Sequence, residues 1–283
     1  MNHRNKCLYF FTILIATIAF FSMYTMKVEA YTNYYNIEMT EAEYDTLLNL
    51  GFSQDEIYYM NLETFKLNKD ANATLLASET KHYKYVYTNY GLSYVTEVSE
   101  EEFNNPSNNL ILDTQYTTYK TIVSTLSQNG SRYRYKISVA WNSIPNVKKF
   151  DIIGIGYEDD VHIYNSIVYF TYHYTTTSSA YDSTQYYDRK ITGLGASAVY
   201  KLPSSFNGLS ATLYYDVVKD SGVGTLNSLS FCGDYSHAIS NSVTSTLAAH
   251  HTISYGGIGL FYDNSNLYDA IPCTYAGITG ISW

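Results

Sequence analysis

The sequence predicts a mainly β protein: an antiparallel β-sandwich, jelly-roll-like or of similar topology, preceded by a small N-terminal helical module. Three observations predict it. Of 283 residues, 33 are tyrosine, and hydrophobic residues make up 46% against 15% charged, a balance that folds rather than stays disordered and that suits half-buried sheet faces. From His82 onward apolar and polar residues alternate with period 2 in at least eight runs separated by turn residues, the pattern of strands with one wet and one buried face. Before that point the spacing is helical.

The first thirty residues read as an address. Arg4 and Lys6 precede an almost uncharged run from Cys7 to Met26, and Val28 and Ala30 place small residues where a signal peptidase reads, which predicts Sec-type export with cleavage after Ala30. The same run is just long enough to act as an uncleaved anchor. Export removes Arg4, Lys6, Lys27 and Glu29, leaving 14 basic against 25 acidic residues and a net charge of −11. Cys232 and Cys273 then remain, a pair compatible with one disulfide or with two buried thiols.

Residues 31–70 form the helical module. Thr40 with Glu43, and Ser53 with Glu56, each match a capping box, and Gly51 suits a helix end. Tyr44, Leu47, Leu48, Ile57, Met60 and Phe65 recur at helical spacing. A core that small is unstable alone, so the module either docks on the β domain or opens out as an arm. Residues 71–110 read as a β-hairpin, Tyr83–Tyr87 returning through Tyr94–Val98, then a polar linker at 104–109. The sandwich domain spans 111–283. Its clearest hairpin joins Thr114–Ser127 to Ser131–Trp141 through Gln128-Asn129-Gly130. Further strands are expected over Phe150–Ile155, His162–Tyr174, Ala198–Leu202, Leu209–Val217, Leu226–Tyr235 and within His251–Phe261.

The acidic balance excludes nucleic acid as a partner, because phosphate binding needs clustered Lys and Arg. Arg132, Arg134 and Lys136 share one strand face and are expected to be solvated. For nucleophilic hydrolysis the nearest string is Gly193-Leu194-Gly195-Ala196-Ser197, which precedes a strand and lacks the strand-to-helix elbow. Cys232 and His237 sit at odd spacing and point to opposite sheet faces. His250-His251, and His162 with His173, do not converge on a metal. Calcium is conceivable at Asp263–Asp269 or Glu158-Asp159-Asp160, yet Asp and Asn fill strand turns for backbone reasons alone. No cofactor is implied.

Aromatic density carries the one functional slant, since Tyr rings stack on sugars and give rigid contact area. Tyr169, Tyr172, Tyr174, Tyr186 and Tyr187 are the candidate ligand-binding residues. The leading function is a secreted or surface-associated, non-enzymatic binding protein for a glycan or another cell-surface ligand, with membrane contact only through the signal segment. The first alternative is a β-pore-forming toxin, prompted by the Thr- and Ser-rich stretch Thr117–Thr125. A secreted hydrolase, with carboxylates paired in space, is the third.

Met39–Tyr44, Leu48-Asn49-Leu50-Gly51-Phe52 and Ala73-Thr74-Leu75, together with the leader and the Tyr-rich strands, resemble a group of uncharacterised exported proteins of low-GC Gram-positive bacteria. The resemblance implies bacterial export and no catalytic residue.

Overall fold

A computed structural model describes residues 30–89, 91–105, 116–158, 160–260, 266–269 and 271–283. The leader before Ala30, most of the polar stretch at 104–109, Asp159 and the first part of the Asp263–Asp269 segment lie outside the described residues. In chain order the strands begin with β1 (Tyr31–Thr32), β2 (Glu38–Met39), β3 (Ala73–Thr88), β4 (Gly91–Val98), β5 (Tyr116–Asn129) and β6 (Arg132–Trp141). They continue with β7 (Phe150–Tyr157), β8 (Val161–Ile163), β9 (Tyr169–Thr175), β10 (Ala180–Ser183), β11 (Asp188–Thr192) and β12 (Gly195–Lys201). The last are β13 (Gly208–Lys219), β14 (Ser228–Ser236), β15 (His251–Ser254), β16 (Gly257–Leu260) and β17 (Thr274–Thr279). The helices are α1 (Glu41–Asn49), α2 (Gln54–Tyr58), α3 (Leu62–Asn68), α4 (Glu100–Asn104) and α5 (Ser245–Ala249).

The fold is an antiparallel sandwich. One sheet runs β10-β9-β13-β6-β5-β3-β4, with β8 paired to β13, and the other runs β11-β12-β7-β14-β17. Alternation sorts their side chains: Tyr83, Tyr85, Ile122, Leu126, Tyr135, Ile137, Val139 and Trp141 of the large sheet meet Ile153, Ile155, Tyr157, Ala198, Tyr200, Phe231 and Tyr235 of the small one in a continuous core. Tyr135 stacks on Phe231 with ring centroids 4.7 Å apart. Each outer face also carries packed elements. A second cluster of Val147, Ile152, Val199, Ala238, Val243, Ala248 and Tyr268 lies on the far side of the small sheet, where α5 and the β15–β16 hairpin pack.

The helical module docks on the outer face of the large sheet. Both capping boxes form with both of their reciprocal bonds, and Asn61 caps α3 through the Thr64 N–H. Ile37, Met39, Leu47, Leu50, Phe52, Ile57, Met60 and Phe65 bury one another against Tyr214 of β13. Gly51 has φ +86°, and a Cβ there would lie 2.3 Å from Thr125 Oγ1. Only glycine lets this turn close while lying on β5.

Three expectations change. The hairpin at 71–110 is not separate from the sandwich: β3 pairs with β5 from Ala73↔Asn129 to Tyr87↔Tyr116, so it belongs to the large sheet. His162–Tyr174 is not one strand, because Asn165 and Ser166 take φ of 53° and 55° and a short 3-10 turn separates β8 from β9. Arg134 and Lys136 are 4% and 1% exposed rather than solvated, because the module covers their face. Period 2 reports which side chains share a face, not what lies on it.

Cys232 and Cys273 are joined by a disulfide across a sequence separation of 41 residues. Closing a loop of that length contributes about 4 kcal/mol by chain entropy. Replacing both cysteines by alanine is expected to lower unfolding free energy by about that amount in urea titrations. A second test concerns Asp234, beneath the β15–β16 hairpin, where its Oδ2 accepts the Ile258 N–H at 2.9 Å. Burial pushes its carboxyl up to about 6 from an ordinary value of 3.8. The folded state therefore holds this proton more tightly than the unfolded one, and stability is lost as pH rises from 3.8 through about 6. Asp234→Asn keeps the acceptor and is expected to gain about 3 kcal/mol at pH 8, and far less at pH 4, in paired thermal melts.

Candidate functional site

The outer face of the large sheet is only partly covered. Between the module on one side and α4 on the other runs a groove of about 870 Å³, bordered by Phe52 and Tyr59 of the module and by Phe103 of α4. Register builds its floor. His82 pairs with Thr121, Thr121 with Ala140, Ala140 with Ser210 and Ser210 with His173. One row of outward residues thus crosses five adjacent strands, a span of about 19 Å at ~4.8 Å per strand. Small side chains in its middle, Thr121, Ala140 and Ser210, keep the floor low.

The two ends of the row are alike. His82 stacks on Phe103 at 4.3 Å, and its Nδ1 lies 2.9 Å from Thr121 Oγ1. Lys84 holds α4 in place through Glu102 at 3.0 Å. At the other end His173 stacks on Tyr59 at 4.0 Å, with its Nδ1 2.8 Å from Asp182 Oδ1. Buried His173 Nε2 and Thr125 Oγ1, both on groove residues, have no hydrogen-bond partner among the described residues. Buried polar atoms are normally paired, so each is a place where a ligand or water group would be favoured. Burial holds the His82 imidazole below its ordinary value, so it stays neutral and able both to donate and to accept.

The wall above this floor is pinned by buried charge. Lys136 Nζ donates to Glu56 Oε2 and to the Gly51 carbonyl, both at 2.9 Å. Glu56 Oε1 accepts from Ser138 at 2.7 Å and from Thr212 at 2.5 Å. Beside it Arg134 reaches Asp216 at 2.8 Å and Asn68 of α3 at 2.6 Å, over the ring of Tyr214. Burial alone would raise the Glu56 carboxyl, but Lys136, the Ser53 N–H and the two hydroxyls outweigh it and hold it below 4.5.

The five candidate tyrosines are not brought together. Tyr169 stacks on Tyr214 beneath the module at 4.9 Å. Tyr172 and Tyr174 face the opposite side of β9, stacked in a row with Tyr200 and Tyr181. Tyr186 and Tyr187 lie exposed before β11, Tyr187 edge-on to Phe150. None of the five borders the groove. Its own floor residues carry no signal in the sequence beyond alternation, because what unites them is cross-strand register.

Ser197, the serine of the glycine-rich string, has a structural partner. Ser197 Oγ lies 2.6 Å from His251 Nε2, but both residues are at most 1% exposed and His251 Nδ1 faces the Ala248 carbonyl at 2.9 Å, not a carboxylate. Burial lowers the His251 imidazole to about 4. The pair pins the β15–β16 hairpin to the small sheet and leaves a substrate no access. Among the described residues there is no group of three or more His, Cys, Asp or Glu able to hold a metal.

No family model matches the chain, and no curated protein does. Among solved structures the chain is similar to the collagen-binding domain of Erysipelothrix rhusiopathiae surface protein RspB, at 7% identity over 58% of this chain and 63% of that one, with a TM-score of 0.31. It is also similar to the collagen-binding domain of a Staphylococcus aureus adhesin, at 13% identity over 46% and 86%, TM-score 0.27. A third is the full-length RrgB pilus protein of Streptococcus pneumoniae, at 8% identity over 57% and 41%, TM-score 0.28. The chain thus spans less than two thirds of the RspB domain. Scores this low assign no residue a role.

Glu56→Gln leaves Lys136 buried without a counter-charge and is expected to cost about 3 kcal/mol. In the unaltered protein the Glu56 contribution is complete above 4.5, its ordinary value, and lost as pH falls through the lower folded-state value. Limited proteolysis between about pH 6 and pH 3 should therefore clip residues 31–72 first, and at higher pH in the variant.

Proposed function

We infer that this is a non-enzymatic extracellular binding protein whose groove takes an extended polymer at the cell surface. The carrying observation is the registered row from His82 to His173: a long, low floor with an imidazole stacked against an aromatic ring at each end. A floor of hydroxyls and a methyl group offers hydrogen bonds without bulk, and ring edges at the ends suit sugar faces. A glycan strand is the ligand class this lining favours. The charged leader and apolar run at residues 1–30 support export. Among the described residues no helix is long and apolar enough to cross a membrane.

The pore-forming alternative finds little support in the strands that suggested it. β5 and β6 are interior strands, paired with β3 and β13 on their outer edges, and their inner faces carry Ile122, Leu126, Tyr135, Ile137, Val139 and Trp141 of the core. Opening them out would dismantle the core.

Purified protein is expected to be retained on isolated Gram-positive cell walls or on an insoluble polysaccharide, and to be released by soluble fragments of the same polymer. Ala140 is exposed on the groove floor, so Ala140→Trp is expected to fill the groove and cut retention at least tenfold while leaving the melting temperature unchanged. Retention on a fibrous protein alone would replace the glycan with a polypeptide. Equal retention of the Trp variant would remove the groove from the reading.

A further inference from the structure

Lys120 is the most unusual side chain in the molecule. It lies on the inner face of β5, in register between Tyr83 of β3 and Trp141 of β6, and its side chain is 0% exposed. Its Nζ is 2.9 Å from Asp269 Oδ2, also 0% exposed. The rest of the ammonium meets rings, with centroids of Tyr235, Tyr85, Trp141 and Tyr83 at 4.6, 4.8, 5.2 and 5.9 Å. Among the described residues Asp269 is its one hydrogen-bond acceptor, although an ammonium has three protons to place.

The carboxylate is held as firmly. Asp269 Oδ1 accepts the His237 N–H at 2.6 Å, while the Asp269 N–H donates to the His237 carbonyl at 2.9 Å. The Tyr85 hydroxyl donates to Oδ2. His237 is itself fixed by Asp151, whose carboxylate accepts at 3.0 Å from Nδ1 and at 2.9 Å from the Ala238 N–H, and also accepts from the Tyr235 hydroxyl. Downstream of Asp269, the Cys232–Cys273 disulfide anchors the chain to β14. Amine and carboxyl therefore have nowhere to go but toward each other.

An isolated buried ion pair in such a site stabilises the fold little, since desolvation costs several kcal/mol per ion and one contact offsets only part of it. Condensation removes both charges. We propose that Lys120 and Asp269 form an intramolecular amide bond that covalently ties the large sheet to the segment leading into β17. One Nζ proton passes to Oδ2, giving a neutral amine beside a neutral acid. Nζ then attacks Cγ, and the carbonyl electron pair moves onto Oδ1, where the His237 N–H stabilises it. As the carbonyl reforms, the Cγ–Oδ2 bond breaks and Oδ2 leaves as water with a second Nζ proton, the Tyr85 hydroxyl donating to the departing oxygen. The third proton remains on the amide nitrogen. Ammonium and carboxylate become amide and water with no other reactant. Burial favours the entry step by pulling the Lys120 ammonium below its ordinary value, and burial beside Asp269 keeps Tyr85 protonated.

The test is the mass of the exported protein after reduction of its disulfide, with no substitution needed. The expected mass is lower by one water than that of the linear reduced chain, and a tryptic digest should lack cleavage after Lys120 and contain one branched peptide joining Lys120 to Asp269. Lys120→Arg and Asp269→Ala should each restore the full mass. A wild-type mass equal to that of the linear reduced chain, or a lost water that maps to any other pair, would overturn the proposal. Neither result depends on what the groove binds.

Discussion

Everything on the outer face of the large sheet depends on the ion pair between Glu56 and Lys136. Lys136 is an outward residue of a central strand, and without the module it would be solvated beside Arg132 and Arg134. With the module docked it is 1% exposed, which is tolerable only because Glu56 and the Gly51 carbonyl receive its protons. The capping box that starts α2 puts Glu56 in position, since Glu56 closes the Ser53 N–H as it reaches Lys136. Local helix chemistry and long-range docking thus use the same carboxylate. Phe52 and Tyr59, on either side of α2, become the groove wall as a consequence.

The interior follows a different rule. Tyrosine fills a core that leucine or isoleucine would more commonly fill, and each buried hydroxyl needs a partner. At one end of the sandwich the hydroxyls of Tyr85, Tyr87, Tyr200 and Tyr235 find theirs in Asp269, His237 and Asp151 or in one another. Trp141 joins through its indole N–H to Tyr235 at 3.2 Å. Such a network is stabilising only when complete. The hydroxyl and indole bonds here draw on β3, β6, β7, β12, β14 and the segment before β17, so they select one arrangement of the two sheets.

Both polar centres use a lysine of neighbouring central strands, one facing outward and one inward. Lys136 is met by several acceptors, two of them, Glu56 and the Gly51 carbonyl, supplied by the module. Lys120 is met by one carboxylate inside a ring-lined, sealed site. The same residue type therefore serves as a docking contact in the first case and as a candidate for chemistry in the second, and the number of acceptors that meet the ammonium is what separates them.

The mainly β class, the hairpin at Asn129-Gly130 and the capped helices were determined by the sequence itself, because turn chemistry, caps and side-chain period are local and hold whatever packs against them. Alternation also placed Arg132, Arg134 and Lys136 together on one face of β6. Only the tertiary structure decided that the face with Arg134 and Lys136 is covered, that the hairpin at 71–110 joins the large sheet, and that His82 and His173 close one row. Those outcomes depend on strand order and register, which bring together residues as distant as Lys120 and Asp269. The tyrosines singled out by density scatter for the same reason: neighbours in sequence on a strand point to opposite faces, whereas a binding surface is assembled across strands.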